Sequence, residues 1–201
     1  MTLALFAAGF LPHRRFPKWL EDDVADSVLA YAVQNQDRFT PSQVRMNGGG
    51  GVNLERRRSM RLDDLGPFAD MLRQRALEAA PKLSSQFGGG NLIPRHVELE
   101  LVAHGDGAFF SRHKDTFTGV DRPPLSRRVT MVSYLYRRPK AFSGGQLRTY
   151  SLSGGNYFDI EPEHGLMAAF PSWAPHSVER VCCPSNKFAD YRFAIDIWVQ
   201  G

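Results

Sequence analysis

From near Asn91 onward the hydrophobic period of this chain changes from the spacing of an amphipathic helix to the alternation of a strand. Upstream, Leu20, Val24, Val28, Leu29 and Ala32 recur at helical spacing, and Glu21, Asp22 and Asp23 suit the positive end of a helix dipole. A helix is therefore expected from Pro17 to about Gln36. A second runs over Leu62 to Leu83, carrying Leu65, Phe68, Met71, Leu72 and Leu77, with its regular part starting near Pro67. Gly88-Gly-Gly90 ends the helical part. Downstream, Val97, Leu99 and Leu101 alternate with His96, Glu98 and Glu100, and short strands are expected over Ala108 to His113, Arg128 to Tyr136 and Gln146 to Tyr150. More follow over Gly165 to Phe170, His176 to Val181 and Tyr191 to Val199. Gly144-Gly145 and Gly154-Gly155 mark turns. Helices first and many short strands afterwards imply an α+β chain with a mainly β core, a β-sandwich or open barrel with helices packed outside.

Two passages resist this pattern. Thr40 to Arg61 is polar and glycine-rich, and it reads equally as a connection or as a loop over a site. Leu3 to Phe10 resembles the apolar part of a signal peptide but lacks a basic lead, so it is expected to be a first strand. The length of 201 residues suits one domain with a full core. No apolar run reaches the ~18 residues of a membrane span. A net charge of +4, carried by scattered basic residues, does not point to nucleic acid. The only cysteines are the neighbours Cys182 and Cys183, which rarely reach disulfide geometry, so a reducing, cytoplasmic setting is expected.

The chemistry concentrates in His113-Lys-Asp115 and, far downstream, His176. Two histidines and a carboxylate can take one face of an octahedral metal, an arrangement suited to non-haem Fe(II) that leaves positions open for a co-substrate and O2. A His-x-acid triplet alone is weak evidence. With 6 His and 21 acidic residues, about 0.6 triplets arise by chance. The chain offers His96/Glu98, His104/Asp106 and His113/Asp115. The first lies on the polar face of an alternating strand and reads as solvated; the second lies in a Gly-rich turn, where both residue types serve the backbone. His113/Asp115 ends the aromatic strand Phe109-Phe110, a firmer platform for ligands.

Around that pair, several segments occur in family order. They are Arg128-Val-Thr-Met-Val-Ser-Tyr134-Leu, Ser143-Gly144-Gly145-Gln-Leu147, Gly165-Leu-Met-Ala-Ala-Phe170-Pro, His176-Ser-Val and Arg192-Phe-Ala-Ile-Asp-Ile-Trp198. Over roughly residues 95 to 200 the chain resembles the prolyl-hydroxylase-like branch of the Fe(II)/2-oxoglutarate-dependent dioxygenases. That resemblance implies a double-stranded β-helix (jelly-roll, cupin-like) in a single domain, with residues 1–90 as mainly helical support and 91–201 as the core. It implies iron held by His113, Asp115 and His176. The far carboxylate of 2-oxoglutarate would be met by Arg192, whose guanidinium offers two parallel hydrogen bonds, with Tyr134 as a possible support. Ascorbate is a further expected reductant. The implied reaction is hydroxylation of a substrate C–H, with O2 consumed and succinate and CO2 released.

Departures from the family pattern fall at Gln146, at the long stretch Cys182 to Asp190, and at Asp196, where relatives often carry a small hydroxyl or apolar residue. Asp196 can pair with Arg192, bind water or meet a basic substrate group. The alternation of Arg192, Ala194, Asp196 and Trp198 against Phe193, Ile195 and Ile197 does not decide which face points inward, and the role of His104 stays open. Two other classes compete: a 2-oxoglutarate-binding sensor without turnover, and a cupin-like metal enzyme that does not use 2-oxoglutarate. The substrate is a protein side chain, an amino acid or a small metabolite, chosen by the loops Thr40 to Arg61 and Thr116 to Pro124.

Overall fold

A computed structural model describes residues 11–46, 49–116, 125–151 and 155–201. The expected strand Leu3 to Phe10, most of the loop Thr116 to Pro124, and Gly154 lie outside the described residues.

In chain order the elements are β1 (Arg14–Phe16), α1 (Asp22–Gln34), β2 (Thr40–Pro41), β3 (Val44–Met46), β4 (Gly49–Gly51), β5 (Arg57–Arg58), β6 (Met60–Leu62) and α2 (Ala69–Gln86). They continue with β7 (His96–His104), β8 (Phe109–His113), β9 (Arg127–Leu135), β10 (Ser143–Gly144), β11 (Leu147–Tyr150) and β12 (Tyr157–Ile160). The chain closes with β13 (Met167–Pro171), β14 (His176–Val178), β15 (Val181–Cys182) and β16 (Arg192–Gln200). Two antiparallel sheets face each other. The larger has the order β1-β13-β9-β16-β7-β6-β2 and the smaller β12-β11-β14-β8-β5. This is the double-stranded β-helix, with both helices stacked on the outside of the larger sheet.

The helices exist because one face of that sheet needs a cover. Phe193, Ile195, Ile197 and Val199 of β16 pack against Ala25, Val28, Leu29 and Ala32 of α1 and Leu72, Ala76, Ala80 and Leu83 of α2, all buried. These spacings follow the helical period. At roughly 1.5–3 kcal/mol per fully buried large aliphatic side chain, this layer is a leading contributor to stability. α1 begins at Asp22 rather than Pro17, because Leu20 is fully buried and its N–H is engaged by the Gly165 carbonyl at 3.2 Å. A 3-10 turn over Gly66–Phe68 leads into α2, which runs past the expected Leu83 to Gln86. It stops where Gly88 takes φ +77°, while the Gly88 and Gly89 N–H groups return to the Ser85 and Ser84 carbonyls at 3.1 and 2.8 Å. That is a Schellman end, which favours glycine.

Thr40 to Arg61 is not a plain connection. Its residues contribute β2 and β6 to the larger sheet, β5 to the smaller one and the β3–β4 hairpin, so the segment bridges both sheets at one mouth of the sandwich. Cys182 is exposed and Cys183 buried, and both are free thiols. Among the described residues no helix is long and apolar enough to cross a membrane.

Candidate metal centre and its recess

β8 and β14 pair so that His113 stands directly opposite His176. The chain turns sharply after β8, and the N–H groups of Asp115 and Thr116 both donate to the Ser172 carbonyl, at 2.9 and 3.2 Å. This pins the end of β8 to the turn that follows β13 and brings Asp115 beside the two imidazoles. One ligand atom from each of His113, Asp115 and His176 lies within 4.8 Å of the others. Asp115 Oδ1 is 3.6 Å from His113 Nε2, and Oδ2 is 3.6 Å from His176 Nε2.

The orientation of these groups is built in. His113 Nδ1 lies 2.8 Å from the Ser111 carbonyl and His176 Nδ1 lies 2.9 Å from the Ala174 carbonyl. A carbonyl only accepts, so each Nδ1 carries the proton and each Nε2 turns a lone pair toward the shared point, as metal-binding histidines require. Phe110 stacks on His113 at 3.5 Å between ring centroids, and Phe170 flanks His176 at 4.6 Å. Thr130 Oγ1 donates to Asp115 Oδ2 at 2.7 Å and lies 2.9 Å from Ser172 Oγ. Burial opposes ionisation of Asp115, but the imidazoles of His176 and His113 outweigh it and hold its carboxyl well below the usual range. Burial, with His113 beside it, lowers His176 to about 4. The resting set at neutral pH thus contains an anionic Asp115 and a neutral His176, the protonation states a cation needs.

β16 settles which of its faces points inward: Arg192, Asp196 and Trp198 line the same recess as the triad. Arg192 is 1% exposed. Its Nε donates to the Gly145 carbonyl at 2.9 Å and its Nη1 lies 3.2 Å from His104 Nδ1, while Nη2 has no partner. Burial lowers its pKa. Tyr134, fully buried, turns its ring toward the guanidinium, 5.0 Å from centroid to Cζ, and its hydroxyl is also unpartnered. Among the described residues no carboxylate forms an ion pair with Arg192. A buried guanidinium without an anion is costly, so two unsatisfied donors side by side fit a carboxylate ligand.

Several residues of the centre went unassigned in the sequence. His104 is the register partner of Arg192 across β7 and β16; burial, with Arg192 and Arg57 nearby, lowers it well below its ordinary value, leaving Nδ1 to accept from the guanidinium. Thr130 stands on the expected strand over Arg128 to Tyr136, but a strand threonine carries no signal that it will meet a carboxylate. The polar face of β7 is not solvated throughout. Glu100 is 5% exposed and joins Arg57 and Arg61, each at 3.1 Å. With Glu98 and His96 it lines a funnel of about 1120 Å³ that reaches the triad. The face looked outward only because its cover, β5 and β6, comes from the segment whose structure the sequence did not disclose.

A jelly roll carrying two histidines and one aspartate on neighbouring strand ends, with a buried cation along the cavity, defines the class of non-haem metal oxygenase scaffolds. The model of the 2OG-Fe(II) oxygenase superfamily matches residues 99–200, and the chain belongs to that family. It is 34% identical over 202 residues to an uncharacterized PKHD-type hydroxylase of Synechocystis sp., covering 95% of this chain and 64% of that relative's length. A Pseudomonas putida prolyl-4-hydroxylase superposes with a TM-score of 0.61 and 25% identity, covering 94% of this chain and 91% of the other. A Trichoplax adhaerens prolyl hydroxylase, solved with a hypoxia inducible factor peptide fragment, gives a TM-score of 0.68 at 18% identity, covering 97% and 84%. The family uses Fe(II), 2-oxoglutarate and O2, and the triad and the orphaned donors of Arg192 and Tyr134 fit the first two.

Proposed function

We propose that the protein is a 2-oxoglutarate-dependent hydroxylase of the prolyl-hydroxylase-like kind, inserting one oxygen atom into a C–H bond of a peptidyl, amino-acid or small-metabolite substrate. His113, Asp115 and His176 hold Fe(II), and Arg192 with Tyr134 binds the far carboxylate of 2-oxoglutarate. Bound iron and 2-oxoglutarate supply the oxidising chemistry; the chain supplies orientation and exclusion. Ser111 and Ala174 fix the imidazole tautomers, Thr130 fixes the Asp115 carboxylate, and His104 with Gly145 aims the guanidinium. The funnel beside β7 admits the substrate. Ascorbate serves as the auxiliary reductant.

The observation that most supports 2-oxoglutarate, over a metal alone, is the fully buried Arg192 with Nη2 unpaired beside the unpaired Tyr134 hydroxyl. Succinate should form only with Fe(II) and 2-oxoglutarate both present, and His113→Ala or Asp115→Ala should abolish it. Arg192→Ala should weaken anaerobic 2-oxoglutarate binding by about 2 kcal/mol or more, ~30-fold, the cost of truncating one partner of a buried charge pair. Unchanged turnover in the triad variants would sink the assignment. Unchanged activity in Arg192→Ala would favour a cupin-like enzyme that does not use 2-oxoglutarate.

A further inference from the structure

On the inward face of β16, Trp198 lines both the funnel and the recess, Asp196 follows in the recess, half-buried, and Arg192 lies at the fully buried end. Asp196 thus stands between the entrance and the guanidinium. Across the sheet its register partners are Glu100 on β7 and Val132 on β9. The acids of this neighbourhood are matched: Glu98 pairs with Arg127, Glu100 with Arg57 and Arg61, and Asp63 with Arg61. Asp196 differs. Among the described residues it makes no hydrogen bond and no ion pair, and the nearby Arg192 spends its bonds on Gly145 and His104. A carboxylate facing a lined recess without a positive partner is an interaction left for a ligand to complete.

We propose, on the oxygenase function inferred above, that Asp196 is a specificity-determining residue that receives an ammonium or guanidinium group of the substrate at the entrance to the triad. The walls suit such a group. Trp198 and Phe110 line the recess with Asp196. Each ring already meets a guanidinium, Arg127 at 3.9 Å and Arg57 at 4.8 Å, so the rings offer an amine's methylene stem an apolar wall while Asp196 takes its charge. The electrostatics agree. Burial and the neighbouring Glu100 carboxylate, with a smaller push from Asp115, raise the Asp196 carboxyl to about 7, although Arg57 and Arg192 pull it down. The ionised form is short of positive charge, and a substrate cation supplies it.

Trp198 offers a reporter, because its indole N–H is buried and unpartnered in the same recess. Protein labelled with 15N at its tryptophans is loaded anaerobically with Fe(II) and 2-oxoglutarate and titrated with n-butylammonium or, as the near-isosteric neutral probe, n-butanol. The Trp198 resonance is assigned from Trp198→Phe. The amine should bind at least about tenfold more tightly than the alcohol, the least expected of a charge-assisted contact. Asp196→Asn should erase that preference in protein that still binds 2-oxoglutarate, and Asp196→Glu should restore part of it. If the Asn variant does not fold, Asp196→Ser provides the same comparison. An amine that leaves the signal unmoved, binds no better than the alcohol, or keeps its advantage in the variant overturns the proposal. Failure to take up iron or 2-oxoglutarate instead sinks the oxygenase function, and the same titration of the metal-free protein then still tests Asp196.

Discussion

Two residues near the triad separate the metal half of the recess from the half proposed for the co-substrate. Thr130 touches only the metal half: its hydroxyl donates to Asp115 Oδ2 at 2.7 Å. Thr130→Val keeps the shape and removes that bond, so metal affinity should fall by ~10–100-fold, the usual effect of losing a group that orients a ligand. Gly145 touches only the other half. Its φ is +72°, and a Cβ there would lie 2.8 Å from Arg192 Cδ and 3.0 Å from Val181 Cγ2. Gly145→Ala must therefore displace the guanidinium whose Nε its carbonyl now accepts. Overpacking of this kind destabilises by about 1–3 kcal/mol, and 2-oxoglutarate affinity should fall with it while metal affinity holds. Isothermal titration with Fe(II) and with 2-oxoglutarate, run separately on both variants, checks the split. The paired glycines could be recognised in the sequence as a turn. Their real constraint, the space demanded by Arg192, could not, because 47 residues separate the carbonyl from the guanidinium that it meets.

At the scale of elements, the segment from β2 to β6 ties the sandwich together through one acid. Arg57 and Glu100 are each 7% exposed at the side chain, whereas Arg61 is 27% exposed. Removing one partner of a buried pair strands the other, so Glu100→Ala should cost about 3–5 kcal/mol of stability. Arg61→Ala should cost about 1 kcal/mol or less, as for more exposed pairs. Denaturant midpoints of the two variants give the comparison, and equal losses would show that Arg57 is not held by Glu100. The same elements mark how far the sequence could be read. Helix faces and most strands from β7 onward were legible from local period, though β10 and β12 were not expected. His113, Asp115 and His176 stood out by ligand chemistry, and Arg192 only through the family resemblance. The Thr40–Arg61 strands were not legible. Each spans only 2 or 3 residues, too short to show alternation, and apart from the β3–β4 hairpin their pairing is long-range. Misreading that segment also turned the face of Glu98 and Glu100 outward, since alternation distinguishes two sides of a strand without saying what covers either.

For the molecule as a whole, the recess sets opposing proton linkages against one another. His176 falls from 6.5 to about 4 on folding, so the unfolded chain binds more protons between those values and stability from this group is lost as pH falls through that window. Asp196 rises from 3.8 to about 7, so the folded chain binds more protons and stability is lost as pH rises from about 4 to about 7. The two slopes oppose each other across the acid range, which makes the curve of the wild type alone uninformative. The difference between wild type and Asp196→Asn isolates one of them, because the histidines are common to both proteins. In metal-free protein, the Asn variant should gain stability relative to wild type steadily from pH ~4 to pH ~7, by at most about 1.4 kcal/mol per pH unit, and the gain should level off above that. Partial exposure of Asp196 to the recess screens its charge and brings the slope below that ceiling. Urea unfolding at half-unit pH steps measures it. A difference that stays flat from pH 4 to 7 would mean that folding does not oppose the ionisation of Asp196, and that the recess already supplies the positive charge a substrate cation is proposed to bring.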